Sequence, residues 1–128
     1  MIYLDSSVLL ARVLSEATEP ADSFWTLPLT SSRLLLYEVW NRIHARNLGD
    51  LHQEDARLLL ARVRFVELSG NVLARALDPL PRSPKTLDTL HLATMGFLRR
   101  RGHGVTLASY DHRLLVAASA MGIAAEPL

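Results

Sequence analysis

Four acidic residues stand where carboxylates are costly to keep. Asp5 ends the apolar run "MIYLD", Glu38 lies inside "LLLYEVWNRI", Asp88 inside "TLDTLHLATMGFL", and Asp111 follows "LASY". The two inner stretches are apolar on more than one helical face, so Glu38 and Asp88 are expected to be largely buried. Burying an ionised carboxylate without a partner is costly. Local partners are few: Arg42 stands one helical turn after Glu38, while Asp88 has Lys85 one turn before it and His91 one turn after. If the four acids converge, each raises the proton affinity of the others unless a cation neutralises them. Hard divalent cations, Mg2+ or Mn2+, prefer such oxygen ligands and complete their shell with water and phosphate. A zinc site is disfavoured: the chain has no Cys, and His44, His52, His91, His103 and His112 lack clustered ligand spacing.

Three of the acids also have a plainer reading. Asp5 and Asp111 both precede helix-like sequence and fit helix caps. Glu38 with Arg42 fits a surface pair worth about 0.3–0.5 kcal/mol. Asp88 has no capping position and is the hardest to explain without a ligand.

The elements that must position these residues follow from hydrophobic periodicity. Ile2 to Leu4, Leu29 to Ser32, Phe65 to Leu68, Val105 to Ala108 and Ile123 to Ala125 read as strands. Helices are expected over Ser7 to Ser15, Glu19 to Leu27, Leu34 to Asn47, Gln53 to Val63, Gly70 to Leu77 and Asp111 to Ala120. Ser32 or a neighbour caps the third of these and Gly49 stops it. "DPLPRSPK" reads as a surface loop. Ser83 and Pro84 then suit the cap and first position of a long helix that ends at Arg99, Arg100 and Arg101 before Gly102. Short apolar strands alternating with helices predict a parallel sheet covered on both faces. Ligands bind such sheets beyond the carboxyl ends of the strands, where Asp5 and Asp111 both fall.

Composition bounds the function. The chain has 128 residues, 49% hydrophobic and 21% charged, which suits one globular domain over residues 1–128. The absence of Cys suits a reducing compartment, and a cytoplasmic location is expected. No signal-peptide pattern opens the chain, and the longest apolar stretch, Leu114 to Ala125, is too short to span a bilayer. A formal net charge of +1 excludes a strongly basic nucleic-acid binder but not an acidic site ringed by arginines. The mean hydropathy of +0.14 is high for a small monomer and points to apolar surface that faces a partner.

"YLDSSVLLA", "SSRLLLYEVWNRI", "SPKTLDTLHLATM" and "LASYDHRLLVAA" together resemble a PIN domain, in particular the VapC-type toxin branch. The similarity spans nearly the whole chain; residues 49 to 82 carry no motif. It implies a three-layer α/β/α sandwich around a mostly parallel sheet of four to five strands. It also implies a Mg2+- or Mn2+-dependent endoribonuclease whose acids are Asp5, Glu38, Asp88 and Asp111. Asp5 and Asp88 are then the direct metal ligands, with Glu38 and Asp111 acting through water or a second ion. Ser7 matches the hydroxyl residue that assists the first Asp, and Ser109 the polar residue before the last. Some relatives carry another acid near the last one, where this chain has Arg113. His91 is assigned a supporting role, its ring hydrogen-bonded near the carboxylates. Tyr37 and Trp40 suit the core better than base stacking. Arg82, Lys85 and the cluster Arg99, Arg100 and Arg101 are candidate RNA contacts, although arginines at a helix C-terminus also suit the helix dipole. The expected partners are an RNA substrate, a small cognate antitoxin and a second copy of the chain. The rival readings are a PIN nuclease of RNA processing and a non-catalytic PIN-like interaction module. A haloacid-dehalogenase phosphatase needs an Asp where Ser7 stands, and a receiver domain needs a late strand-end Lys that is absent.

Overall fold

A computed structural model describes all residues, 1–128. Five strands, β1 (Ile2–Leu4), β2 (Leu29–Ser32), β3 (Val63–Val66), β4 (Thr106–Ala108) and β5 (Ala124–Ala125), form one sheet in the order β3-β2-β1-β4-β5. Every pairing is parallel. Six helices connect them: α1 (Ser6–Val13), α2 (Leu34–Ala45), α3 (Asp50–Leu60), α4 (Gly70–Arg75), α5 (Thr86–Arg100) and α6 (His112–Ala120).

Alternation along the strands builds two cores, one per face of the sheet. On one face Leu4, Leu29, Val63 and Ala108 pack with Val8 and Leu9 of α1, Val39 and Ile43 of α2, and Leu60 of α3. On the other, Tyr3, Leu107 and Ile123 pack with Leu92 and Met95 of α5 and with Leu114 of α6. The expected three-layer sandwich is therefore present, and its sheet is parallel throughout. The chain builds outward from β1 through β2 to β3, then returns to lay β4 on the other side of β1. The strand order thus reverses between β1 and β4, which opens a crevice at their carboxyl ends.

Several local expectations change. The helix expected over Glu19 to Leu27 is only a 3-10 turn, Asp22–Thr26. Pro28 ends the segment, and Arg12 of α1 bridges Glu19 and Asp22 at its start. The third strand begins at Val63, not Phe65, because pairing with β2 sets its register from Leu29↔Val63 to Ser32↔Val66. Asn47, at φ 52°, rather than Gly49 turns the chain out of α2, and Gly49 becomes the entry to α3. Ser32 does act at the start of α2, its Oγ accepting the Leu34 N–H at 3.1 Å. The long helix starts at Thr86, not at Ser83 and Pro84. Arg82 and Ser83 adopt φ of 69° and 43°, a left-handed turn that cannot lead directly into a right-handed helix.

Candidate active site

The four acids reach the carboxyl edge of the sheet from both helical layers. Asp5 leaves β1 and caps α1; Asp111 follows β4 and caps α6. They therefore flank the switch point, where the Asp5 N–H donates to the Ala108 carbonyl at 3.0 Å. Glu38 comes from α2 on one face and Asp88 from the first turn of α5 on the other.

Two serines tie the β1 and β4 loops together. Ser7 Oγ donates to Asp5 Oδ2 at 2.5 Å and accepts the Tyr110 N–H at 2.9 Å. Ser109 Oγ donates to the same Oδ2 at 2.8 Å and accepts the Asp111 N–H at 2.9 Å. With the Ser7 N–H at 3.3 Å, one oxygen of Asp5 takes three hydrogen bonds. Its Oδ1 takes none within the chain.

Glu38 is held from the opposite layer. His91 of α5 is 1% exposed, and its Nε2 lies 2.5 Å from Glu38 Oε1. Its Nδ1 lies 2.7 Å from Tyr3 Oη, which in turn accepts the Ser32 N–H at 3.2 Å. With the ring neutral, this pattern makes the tyrosine the donor to Nδ1 and leaves Nε2–H to donate to Glu38. Burial lowers the proton affinity of His91, but the hydrogen bond and charge of Glu38, with Asp5 and Asp88, outweigh it and raise the net pKa. Burial, with a smaller push from the Glu38 charge and against the hydrogen bond of the Ser32 N–H, keeps the Tyr3 hydroxyl protonated far above neutral pH. Glu38 therefore pairs with His91, 53 residues away, and not with Arg42. Tyr3 is the functional-looking residue that the strand pattern hides; a buried tyrosine hydroxyl needs a polar partner, and that need was the available signal.

Asp88 makes no ion pair and no side-chain hydrogen bond. Burial raises its pKa, and the negative charges of Asp111, Asp5 and Glu38 raise it further, against a smaller opposing effect of His91. Asp111 spends Oδ1 on the N–H groups of Arg113 and Leu114, at 3.0 and 3.3 Å, and leaves Oδ2 open. Each acid thus keeps at least one carboxylate oxygen free of protein donors, and no Lys or Arg neutralises the group. No three of these groups converge into a preformed cage. An open set of this kind fits Mg2+ or Mn2+, which keep several waters and take one or two carboxylates directly.

Arg82 and Lys85 line a cleft of about 690 Å3 that also borders Asp88, His112 and Arg113. The cluster Arg99, Arg100 and Arg101 lies elsewhere. Asp88 is in the first turn of α5 and Arg99 and Arg100 in its last, roughly 16–18 Å apart along the helix. Arg99 donates to the Met121 carbonyl, and Arg101 stacks on Phe97.

The PIN domain family matches residues 2–119. Ribonuclease VapC46 of Mycobacterium tuberculosis is 32% identical over 127 residues, covering 96% of this chain and 94% of that protein. The crystal structure of VapC20 from the same organism, a sarcin–ricin-loop cleaving toxin, superposes over all of both chains with a TM-score of 0.68 at 20% identity, a likeness of fold. The chain belongs to the PIN-domain family, in its VapC-type branch.

Proposed function

We propose that this chain is a Mg2+- or Mn2+-dependent endoribonuclease and the toxin of a toxin–antitoxin pair. The observation that carries the reading is the set of four carboxylates at one edge of the sheet, each with an open oxygen and none ion-paired to Lys or Arg, close enough that the other three raise the pKa of Asp88. The kinship with Ribonuclease VapC46 supports the choice of RNA over other phosphodiesters.

A bound Mg2+ or Mn2+ ion would neutralise charge at the scissile phosphate and make attached water more acidic. Asp5 and Asp88 would hold it directly. Ser7 and Ser109 hold Asp5 through Oδ2 and leave Oδ1 without a hydrogen bond from the chain. Tyr3 and His91 fix Glu38 at Oε1, so that Oε2 is the atom left to orient water or take a proton. Asp111 can do the same with Oδ2 while its other oxygen caps α6.

The reading includes a cytoplasmic location, a small antitoxin and a homodimer. Exposed Leu51, Leu58, Leu73, Leu77 and Leu87 supply apolar surface for such partners; no helix is long and apolar enough to cross a membrane. The purified chain should cut RNA with Mg2+ or Mn2+, and Asp5→Asn or Asp88→Asn should lower the rate by about a hundredfold or more. Equal cleavage by the wild type and both variants would sink the proposed site. Expression of the chain alone should arrest growth, and co-expression with its antitoxin should relieve it.

A further inference from the structure

The cleft beside Asp88 is built from two segments that meet only in the folded chain. The left-handed turn at Arg82 and Ser83, with Lys85, forms one wall, and the first turn of α6, with His112 and Arg113, forms the other. Arg82, Lys85 and Arg113 make no ion pair, so their charges are free to meet a ligand in the cleft. Asp88 is the sole acid on the walls. In a chain whose formal net charge is only +1, three unneutralised cations around one cavity are a local excess that suits a polyanion. A volume of about 690 Å3 is within the range of small-ligand pockets, roughly 300–1,000 Å3. The walls carry no Phe, Tyr or Trp, so they offer charge and hydrogen bonds without a stacking platform for bases.

We infer that this cleft holds the RNA backbone immediately beside the scissile phosphate, with Arg82, Lys85 and Arg113 on phosphate oxygens and His112 as a further polar contact. The inference rests on the nuclease reading above. Asp88 belongs both to the carboxylate set and to the wall of this cleft, so a backbone held at the first can continue into the second. Contacts of this type position the backbone and carry no base information. Arg113, two residues beyond Asp111, then serves the substrate and not the metal.

Binding of three unrelated labelled single-stranded oligoribonucleotides, measured by fluorescence anisotropy in EDTA, tests the cleft apart from catalysis. Arg113→Ala and Arg82→Asn, the latter chosen because Asn tolerates a positive φ, should each weaken binding about three- to tenfold on all three sequences and lower the salt slope by about one. Arg46→Ala, which removes the same charge at the exposed end of α2, should change binding by less than about twofold. In Mn2+, the cleft variants should raise KM and leave kcat and the Mn2+-induced rise in Tm near wild type. Should Arg82→Asn lower Tm, Lys85→Ala replaces it. Equal losses for Arg46→Ala and Arg113→Ala, a loss confined to one RNA sequence, or weakened binding of an acidic peptide with RNA binding intact would each overturn the proposal. Wild-type cleavage with an unchanged KM in the variants overturns the cleft alone. A wild type that neither binds nor cuts RNA removes the nuclease reading with it.

Discussion

At the scale of single residues, each acid divides its two oxygens or leaves both open. The division is set by neighbours of short reach: hydroxyls at Asp5, backbone N–H groups at Asp111 and an imidazole at Glu38. Tyr3→Phe tests the chain that ends at Glu38. It strands the Ser32 N–H and removes the donor to His91 Nδ1, so it should cost about 1–3 kcal/mol in urea denaturation. It should also lower RNA cleavage without changing Mn2+ binding through Asp5. Asp88 makes the opposite prediction, a stabilising substitution. Its raised pKa means the folded chain holds this proton more tightly than the unfolded chain does. The associated stability is present below the ordinary Asp value and is lost as pH rises through the raised one. At pH 7 without metal, Asp88→Asn should therefore raise Tm by roughly 1–3 °C, discounted for partial exposure. The gain should vanish at pH values below about 3.9; a lower Tm for the variant at pH 7 would contradict the charge crowding.

At the scale of elements, the caps decide where the acids point. Asp5 and Asp111 accept N–H groups at the starts of α1 and α6, so both are structural as well as candidate ligands. The two roles separate experimentally. Asp111→Ala should cost about 1 kcal/mol of stability through the lost cap, while Asp111→Asn should cost only a few tenths. Both should reduce RNA cleavage, since both remove the charge. Unimpaired cleavage by Asp111→Asn would confine this residue to capping. The helix α5 shows a second division of labour: Asp88 at its start faces the site, His91 one turn later crosses to α2, and Leu92 and Met95 fill the core.

At the scale of the molecule, a parallel sheet with cores on both faces brings a switch point, two helix caps and two helical acids to one edge. The crowding of like charges there opposes folding in the absence of a cation. Mn2+ at a hundred times its Kd should stabilise the fold by about 2.7 kcal/mol, read as a rise in Tm that EDTA reverses and that Asp5→Asn abolishes. The core tolerates less. Leu92, on the inner face of α5, is fully buried, and Leu92→Ala should cost about 2–5 kcal/mol in urea denaturation.

Much of this was legible in the chain because it is local. Short apolar runs mark β1 and β4 and a helical pattern marks α6, and an Asp between a short apolar strand and an apolar helix is both a cap and a strand-end residue wherever it occurs. Carboxylates in apolar helices likewise announce an unmet need for a partner. Other features depended on distant neighbours. The start of α5 moved to Thr86 because a left-handed turn at Arg82 and Ser83 outweighed a good capping pair. The register of β3 came from β2, and the partner of Glu38 came from His91 rather than Arg42. Tyr3 read as an ordinary strand residue until the fold set its hydroxyl between Ser32 and His91. Residue type and spacing alone determined which groups needed a polar or charged partner. Only the tertiary structure decided which groups met, because burial, register and charge repulsion act between segments that the sequence keeps far apart.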